Sequence, residues 1–248
     1  SDLTRDVLLL PSTTAVQFSV PVPERGTLVF GAGVVPPFDA SDAGTVLLSL
    51  QIDGEEAWSE RVSLGEMWKE VSLPLREWAG QQVEILFEAR SDTGHVGAFA
   101  SPKIVPQGDD PRRVILIGLD TLRPDHLSFE GYPRQTSPAL DDFASQSVVF
   151  DDAWVPAPRT RPSFRTSTTG RWPLAAIGAP TIGTVLQAHG FATAGIVANV
   201  HLSAALGFAD GYDWWQYNDG DTADAQVSRS LEWLKRHQDA DSFLFLHV

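Results

Sequence analysis

Hydrophobic and polar residues alternate along several segments of the first hundred residues. Apolar side chains occupy every second position at Val16, Phe18 and Val20, at Leu48, Leu50 and Ile52, and at Val83, Ile85 and Phe87. A period of two is typical of β-strands with one buried face, and turn signals rich in glycine and aspartate separate the segments. The pattern therefore predicts an all-β sandwich over residues 1–108.

The pattern changes after a short polar segment, residues 109–112, which is predicted to link two domains. Residues 114–119 form a continuous apolar run, as expected for a parallel strand that is buried on both faces. Two similar runs follow at 192–197 and 243–248. Helical segments lie between these runs, so an α/β fold with a mostly parallel sheet is predicted for residues 113–248.

Three of these helical segments have recognisable starts and buried faces. They begin at Ser137, Thr181 and Thr222, residue types that favour the N-terminal cap of a helix. We expect the first helix to bury Leu140, Phe143 and Ala144. We expect the last to bury a stripe made of Val227, Leu231 and Leu234.

Composition excludes several classes of function. The formal charge of −14 disfavours a nucleic-acid partner, which needs a basic surface. The absence of cysteine excludes disulfides and thiolate metal sites. No run approaches the roughly 18 apolar residues of a membrane span. The chain begins without methionine or a signal peptide, so we expect the targeting segment of an extracytoplasmic protein to lie outside it.

Asp120 comes directly after the first predicted strand of the α/β region. Ligands of open α/β sheets gather beyond the carboxyl ends of the strands, where carboxylates from neighbouring loops can meet around a metal ion. The same position also suits an aspartate that caps a turn or a helix. Position alone leaves both interpretations open.

Seven short motifs in this region, by their order and spacing, resemble the sulfatase family of the alkaline phosphatase superfamily. They are Gly118–Leu127, Gly131-Tyr132, Ser137–Asp141, Val149-Phe150, Thr169–Pro173, Gly190–Ala194 and Leu231–Leu234. The resemblance covers essentially all of residues 113–248 and implies the N-terminal portion of a sulfatase-like α/β hydrolase domain. Residues 68–87 resemble the later strands of jelly-roll modules that are often attached to secreted hydrolases.

The resemblance implies roles for Asp120 and Thr160. Asp120 would be a metal ligand, and Thr121 stands where many members carry a second aspartate. Thr160 falls where sulfatases have the cysteine or serine that becomes formylglycine, and threonine does not undergo that conversion. An unmodified Thr160 that also binds the metal could attack phosphorus, as in sister phosphodiesterases and in phosphoethanolamine or glycerolphosphate transferases. The alternative is that Thr160 caps a helix that begins near Pro162.

Other positions depart from the family pattern. The arginine expected after Pro-Ser is Phe164, and Arg165, one residue later, is the candidate to supply its charge. Asn199 replaces a lysine, whereas His201 in the same segment is retained and is a candidate site residue. The loss of that lysine, together with Thr160, favours phosphate over sulfate esters.

The sequence therefore predicts part of a metal-dependent hydrolase of sulfuric or phosphoric esters, with Ca, Mg, Mn or Zn as the metal and a carbohydrate or lipid ester as the substrate. The remaining metal ligands are expected beyond Val248, so this chain alone is expected to be inactive. The alternatives are an inactive, glycan-binding scaffold and a phospho-group transferase. The Trp214-Trp215 pair suits packing better than a substrate platform.

Overall fold

The computed structural model describes residues 2–36, 44–66, 68–108 and 110–248, and its first half consists of strands. These are β1 Asp2–Thr4, β2 Val7–Leu10, β3 Thr14–Pro21, β4 Gly26–Val35, β5 Thr45–Ile52, β6 Glu55–Ser63, β7 Lys69–Pro74, β8 Gln82–Arg90 and β9 Val96–Pro106. Strands β2 to β9 form two antiparallel sheets, ordered β2-β9-β4-β7 and β3-β8-β5-β6. Two four-stranded sheets that exchange strands in this way make a jelly roll, and the predicted sandwich is confirmed.

The core of the sandwich lies between its two sheets. The alternating apolar residues of β5 and β8 are buried as predicted, whereas Phe18 of β3 is 43% exposed. Phenylalanines of both sheets meet edge to face, with ring centroids 4.9 Å apart for Phe87 and Phe99 and 6.1 Å apart for Phe30 and Phe87. Aromatic pairs in this geometry stabilise the packing of one sheet on the other.

The second half of the chain alternates strands and helices. Its elements are β10 Arg113–Gly118, α1 Pro138–Ser145, α2 Thr160–Thr169, α3 Ile182–Ala188, β11 Ala192–Val197, β12 Trp214–Tyr217, α4 Ala223–Arg236 and β13 Ser242–His247. The sheet is ordered β1-β12-β11-β13-β10 and is parallel except for β1. Its register places Gly118 and Val197 on either side of His247. The carboxyl ends of β10, β11 and β13 therefore meet at one edge.

Strand β10 departs from the prediction of two buried faces. It runs parallel to β13 as expected, but it is the edge strand of the sheet. Ile115 and Ile117 are 48% and 56% exposed. The physical reason is that the helices packed closely on the sheet, α3 and α4, lie against β11 and β13. An apolar run is typical of a strand in a sheet, but it does not distinguish an edge strand from a central strand.

The helix starts agree with the prediction better than the buried faces do. Thr181 and Thr222 each accept a hydrogen bond from the backbone N–H three residues later. Ser137 precedes α1 but makes no such bond, because its hydroxyl donates to Asp141 at 2.8 Å. Phe143 of α1 is 70% exposed and contradicts the predicted inward face, whereas Leu140 and Ala144 are half-buried.

Helix α4 buries the predicted stripe only in part, since Leu234 packs on the core and the other two predicted residues do not. Leu231 is 61% exposed and Val227 41% exposed. The buried residues are instead Gln226, Ser230 and Trp233. Trp233 packs on the apolar residues of β11 and β13, and this large ring decides which face of the helix turns inward. None of the helices in the described ranges is long and apolar enough to span a membrane.

The sandwich and the α/β sheet touch through specific polar contacts. Strand β1 pairs with β12, so the N-terminal residues contribute to the five-stranded sheet of the α/β half. Lys103 donates to the Phe191 carbonyl at 2.7 Å and to the Asp213 carboxylate at 3.1 Å. The guanidinium of Arg5 lies 3.9 Å above the Trp214 ring. The division of the chain at residues 108 and 113 stays a prediction.

Candidate active site

Asp120 stands where β10 leaves the sheet. Its backbone N–H donates to the Val248 carbonyl at 2.9 Å, which extends the pairing of β10 and β13 by one step. Oδ1 of Asp120 accepts the N–H of Thr121 at 2.9 Å. Thr121 has a φ of +57°, a left-handed conformation that is strained for a β-branched residue. Strain of this kind is typical of sites where function fixes the backbone.

Thr160 is the first residue of helix α2, and its side chain does not cap that helix. Arg159 occupies the cap position without a side-chain cap bond. The Thr160 hydroxyl donates instead to Oδ2 of Asp120 at 2.9 Å. The capping interpretation is therefore wrong in this structure. The hydroxyl lies at the N-terminal end of a ten-residue helix, where the helix dipole stabilises negative charge.

Asn199 brings a third group to the same carboxylate. Its amide Nδ2 donates to Oδ2 of Asp120 at 3.1 Å, and its Oδ1 accepts the N–H of His201 at 2.9 Å. Sequence reasoning treated Asn199 as a lost lysine and did not assign it to the site. Its position two residues after the carboxyl end of β11, a strand of the same parallel sheet as β10, is the signal that could have indicated it.

His247 is the fourth group, and sequence reasoning missed it. The side chain is 3% exposed, and its Nε2 lies 3.4 Å from Oδ2 of Asp120. Neither ring nitrogen has a hydrogen-bond partner among the described residues. Burial lowers the pKa of the imidazole and outweighs the Asp120 carboxylate, which raises it. A polar residue at the carboxyl end of a central parallel strand was the available signal.

Phe164 encloses His247 from the side of α2. The two rings meet edge to face with centroids 4.8 Å apart. This approach requires a glycine at position 118, because a Cβ there would lie 2.3 Å from the Phe164 ring. A ring thus occupies the position at which the family pattern has an arginine.

Two predicted site residues do not join this group. Arg165 donates to the carbonyls of Leu206 and Gly207, and its guanidinium lies 4.2 Å over the Phe208 ring. His201 is exposed on the turn after Asn199, and its backbone N–H makes the contact described above. The catalytic roles of Arg165 and His201 stay predictions.

The donor set fits a divalent metal ion only in part. A cavity of about 490 Å³ opens beside Asp120 and Thr160. In the described ranges, no three acidic or histidine side chains lie close enough together to hold a metal ion. However, both ring nitrogens of His247 are buried and make no hydrogen bond to the described residues. Buried polar atoms normally have a hydrogen-bond partner or bind a metal ion. Asp120, Thr160 and His247 are therefore suited to form one side of a metal site.

Comparisons with known proteins identify the family of the second half of the chain. The family model described as Sulfatase matches residues 112–248. No curated protein matches the chain. Among solved structures, the chain is similar to the C-terminal periplasmic domain of EcEptC from Escherichia coli, in complex with Zn, at 18% identity and a TM-score of 0.48. That alignment covers 56% of this chain and 44% of that one, so the chain spans under half of the solved domain.

The β-sandwich is also similar to part of a solved structure. It is similar to CBM51 from Clostridium perfringens GH95, in complex with methyl-galactose, at 14% identity and a TM-score of 0.32. The alignment covers 39% of this chain and 67% of that one. The family match alone spans more than half of the 248 residues. The chain belongs to the sulfatase family.

Proposed function

We propose that the whole protein is a metal-dependent hydrolase of phosphoric or sulfuric esters that uses Thr160 as an unmodified nucleophile. The observation that carries this proposal is the 2.9 Å hydrogen bond from the Thr160 hydroxyl to Asp120. A nucleophile within hydrogen-bond reach of its proton acceptor is the arrangement that covalent catalysis requires.

The proposed reaction has two steps. Oγ1 of Thr160 forms a bond to phosphorus or sulfur as the ester oxygen leaves, and the hydroxyl proton passes to Oδ2 of Asp120. Water then attacks the phosphorus or sulfur and the bond to Oγ1 of Thr160 breaks. Oγ1 takes back the proton held on Asp120, and the proton lost by the water returns to the group that protonated the leaving group. The N-terminus of α2 stabilises the negative charge that develops on the transferred group. We assign protonation of the leaving group to His201, the exposed imidazole beside Asn199.

A divalent metal ion would be held by Asp120, Thr160 and His247. When bound, it would lower the pKa of the hydroxyl and neutralise charge on the ester. The candidates remain Ca, Mg, Mn and Zn, and an imidazole among the ligands favours Zn over Ca or Mg. His247 can serve because a neutral imidazole is the form that binds metal, and its burial favours that form.

Phosphate esters are the favoured substrate class. A threonine excludes the formylglycine route that sulfatases use, and Asn199 provides an amide where a sulfate-binding lysine is expected. A carbohydrate or lipid ester outside the cytoplasm remains our prediction for the natural substrate.

The test uses the whole protein with aryl phosphate monoesters, diesters and sulfates, each with Mn²⁺, Zn²⁺, Ca²⁺ or Mg²⁺. We expect Thr160→Ala to abolish turnover and Thr160→Ser to retain part of it. Thr169→Ala, at the other end of the same helix, is the matched control and should remain active. Turnover that survives Thr160→Ala would exclude Thr160 as the nucleophile.

The same assay separates the alternatives. Products appearing on an added alcohol or glycan acceptor instead of water would indicate a transferase. A complete absence of turnover with every metal and ester would favour an inactive scaffold that binds glycan. Because the folded state of each variant is checked by circular dichroism, loss of fold cannot be mistaken for loss of chemistry.

A further inference from the structure

A second cavity, of about 570 Å³, lies where the sandwich meets β12 and α4. Its walls include Trp68, Trp214, Gln216, Arg229, Trp233 and Arg236. It has no lining residue in common with the cavity at Thr160. The two cavities are therefore separate, and the proposed ester chemistry makes no use of this one.

The aromatic walls are held in place by their neighbours. Trp68 lies against Gly33, where a Cβ would come within 2.8 Å of the ring. Trp214 is held by the Arg5 guanidinium, which lies 3.9 Å from the ring centroid. Trp233 stacks on His237 with centroids 4.3 Å apart. Trp233 is 3% exposed and belongs to the core, so Trp68 and Trp214 are the rings nearer to the surface. Rings that are fixed before a ligand arrives lower the entropy cost of binding.

The polar walls come mainly from helix α4. Arg229, Glu232 and Arg236 are spaced by three and four residues, so they lie on one face of the helix. Arg229 is paired with Asp221. Arg236 lies 3.9 Å from the Glu232 carboxylate, and its guanidinium lies 5.5 Å from the centroid of the Trp214 ring. Within the described ranges no side-chain hydrogen bond of Arg236 occurs, so its planar donors remain available.

We propose that this cavity binds a saccharide unit that carries a carboxylate or sulfate group. The half-buried Trp68 ring offers an apolar surface to the C–H face of a sugar. Gln216 and Glu232 offer polar groups for the sugar hydroxyls. The guanidinium of Arg236 suits a planar or multidentate anion. The chain as a whole is strongly acidic, so attraction of an anionic glycan depends on this local cation.

The two residues of the Trp214-Trp215 pair contact different core clusters of the α/β half. Trp215 is 1% exposed and packs in the core of the α/β sheet. Trp214 lies on the opposite face and lines the cavity. The interpretation as packing therefore holds for Trp215, and the proposal gives Trp214 a part in ligand binding.

The experiment is calorimetric titration of the whole protein with three probes: sulfated chondroitin tetrasaccharide, its unsulfated uronic-acid form and neutral cellotetraose. We expect both anionic probes to bind at least tenfold more tightly than the neutral one. Arg236→Gln should remove that preference, and Trp68→Ala should weaken binding of all three probes. Arg76→Gln, an exposed arginine outside the cavity, and Thr160→Ala should leave binding unchanged.

Several results would overturn the proposal. The first is that no probe binds at millimolar concentration. The second is that the neutral probe binds as tightly as the anionic probes. The third is that neither Trp68→Ala nor Arg236→Gln changes the affinity for any probe. Thermal unfolding of each variant shows whether it is folded, and a variant that fails to fold is replaced by Trp68→Phe or Arg236→Lys. Weaker binding by Thr160→Ala would place the glycan at the ester site instead.

Discussion

The Thr160 hydroxyl donates its hydrogen bond to Oδ2 of Asp120, a residue forty positions earlier in the chain. The same oxygen accepts the Asn199 amide and lies close to His247. One carboxylate oxygen thus connects α2 with residues at the ends of β10, β11 and β13. The arrangement makes Asp120 the residue on which the proposed chemistry depends most.

Replacing this carboxylate tests that dependence. Asp120→Asn keeps the shape of the side chain but removes the charge that would accept the Thr160 proton and bind the metal. We expect turnover of an aryl phosphate to fall by roughly a hundredfold or more, with an unchanged circular dichroism spectrum. Asp142→Asn, an exposed position on α1, is the matched control. Equal activity in the two variants would contradict the assigned role.

Thr121 offers a test of stored strain. Its φ of +57° places a β-branched residue in the left-handed region, at a cost of about 1 kcal/mol or more. Asn tolerates that conformation better, so Thr121→Asn should raise the free energy of unfolding by about 1 kcal/mol. Urea unfolding measures the change. Thr45→Asn, at an exposed strand position with ordinary backbone, should bring no such gain.

Sequence patterns predicted the elements well and their surroundings poorly. The predicted strand at 192–197 has the observed bounds of β11, because alternation with helices and flanking turns identifies such a strand locally. The exposure of Ile117 and Leu231 was not predictable, since burial depends on which neighbours pack against an apolar face. Similarly, the roles of Asn199 and His247 depend on strand register, which brings distant residues together only in the folded chain.

Stability should decrease in mild acid because of His237. Burial lowers the pKa of this imidazole, so the unfolded chain binds its proton more readily than the folded one. The free energy of unfolding should therefore fall as the pH drops below about 6.5, down to the lower folded-state pKa. His247 acts in the same direction.

The variant His237→Gln should flatten this dependence without abolishing it, since His247 remains. Urea unfolding between about pH 7.5 and pH 5 measures the two slopes. The matched replacement at an exposed position, His189→Gln, should keep the wild-type slope. If His237→Gln also keeps it, the imidazole does not contribute to acid sensitivity.

Gln226 supports the end of β13 at His247 from behind the sheet. Gln226 is 1% exposed, and its amide donates to the His247 carbonyl at 2.7 Å. Gln226→Leu fills a similar volume but leaves that buried carbonyl without its partner, which should cost about 1–3 kcal/mol of unfolding free energy. Gln238→Leu, exposed beyond the end of α4, should cost far less. In the whole protein, Gln226→Leu should also weaken metal-supported turnover, because the end of β13 carries the imidazole beside Asp120. If Gln226→Leu keeps both the wild-type free energy of unfolding and full activity, this contact does not position the site.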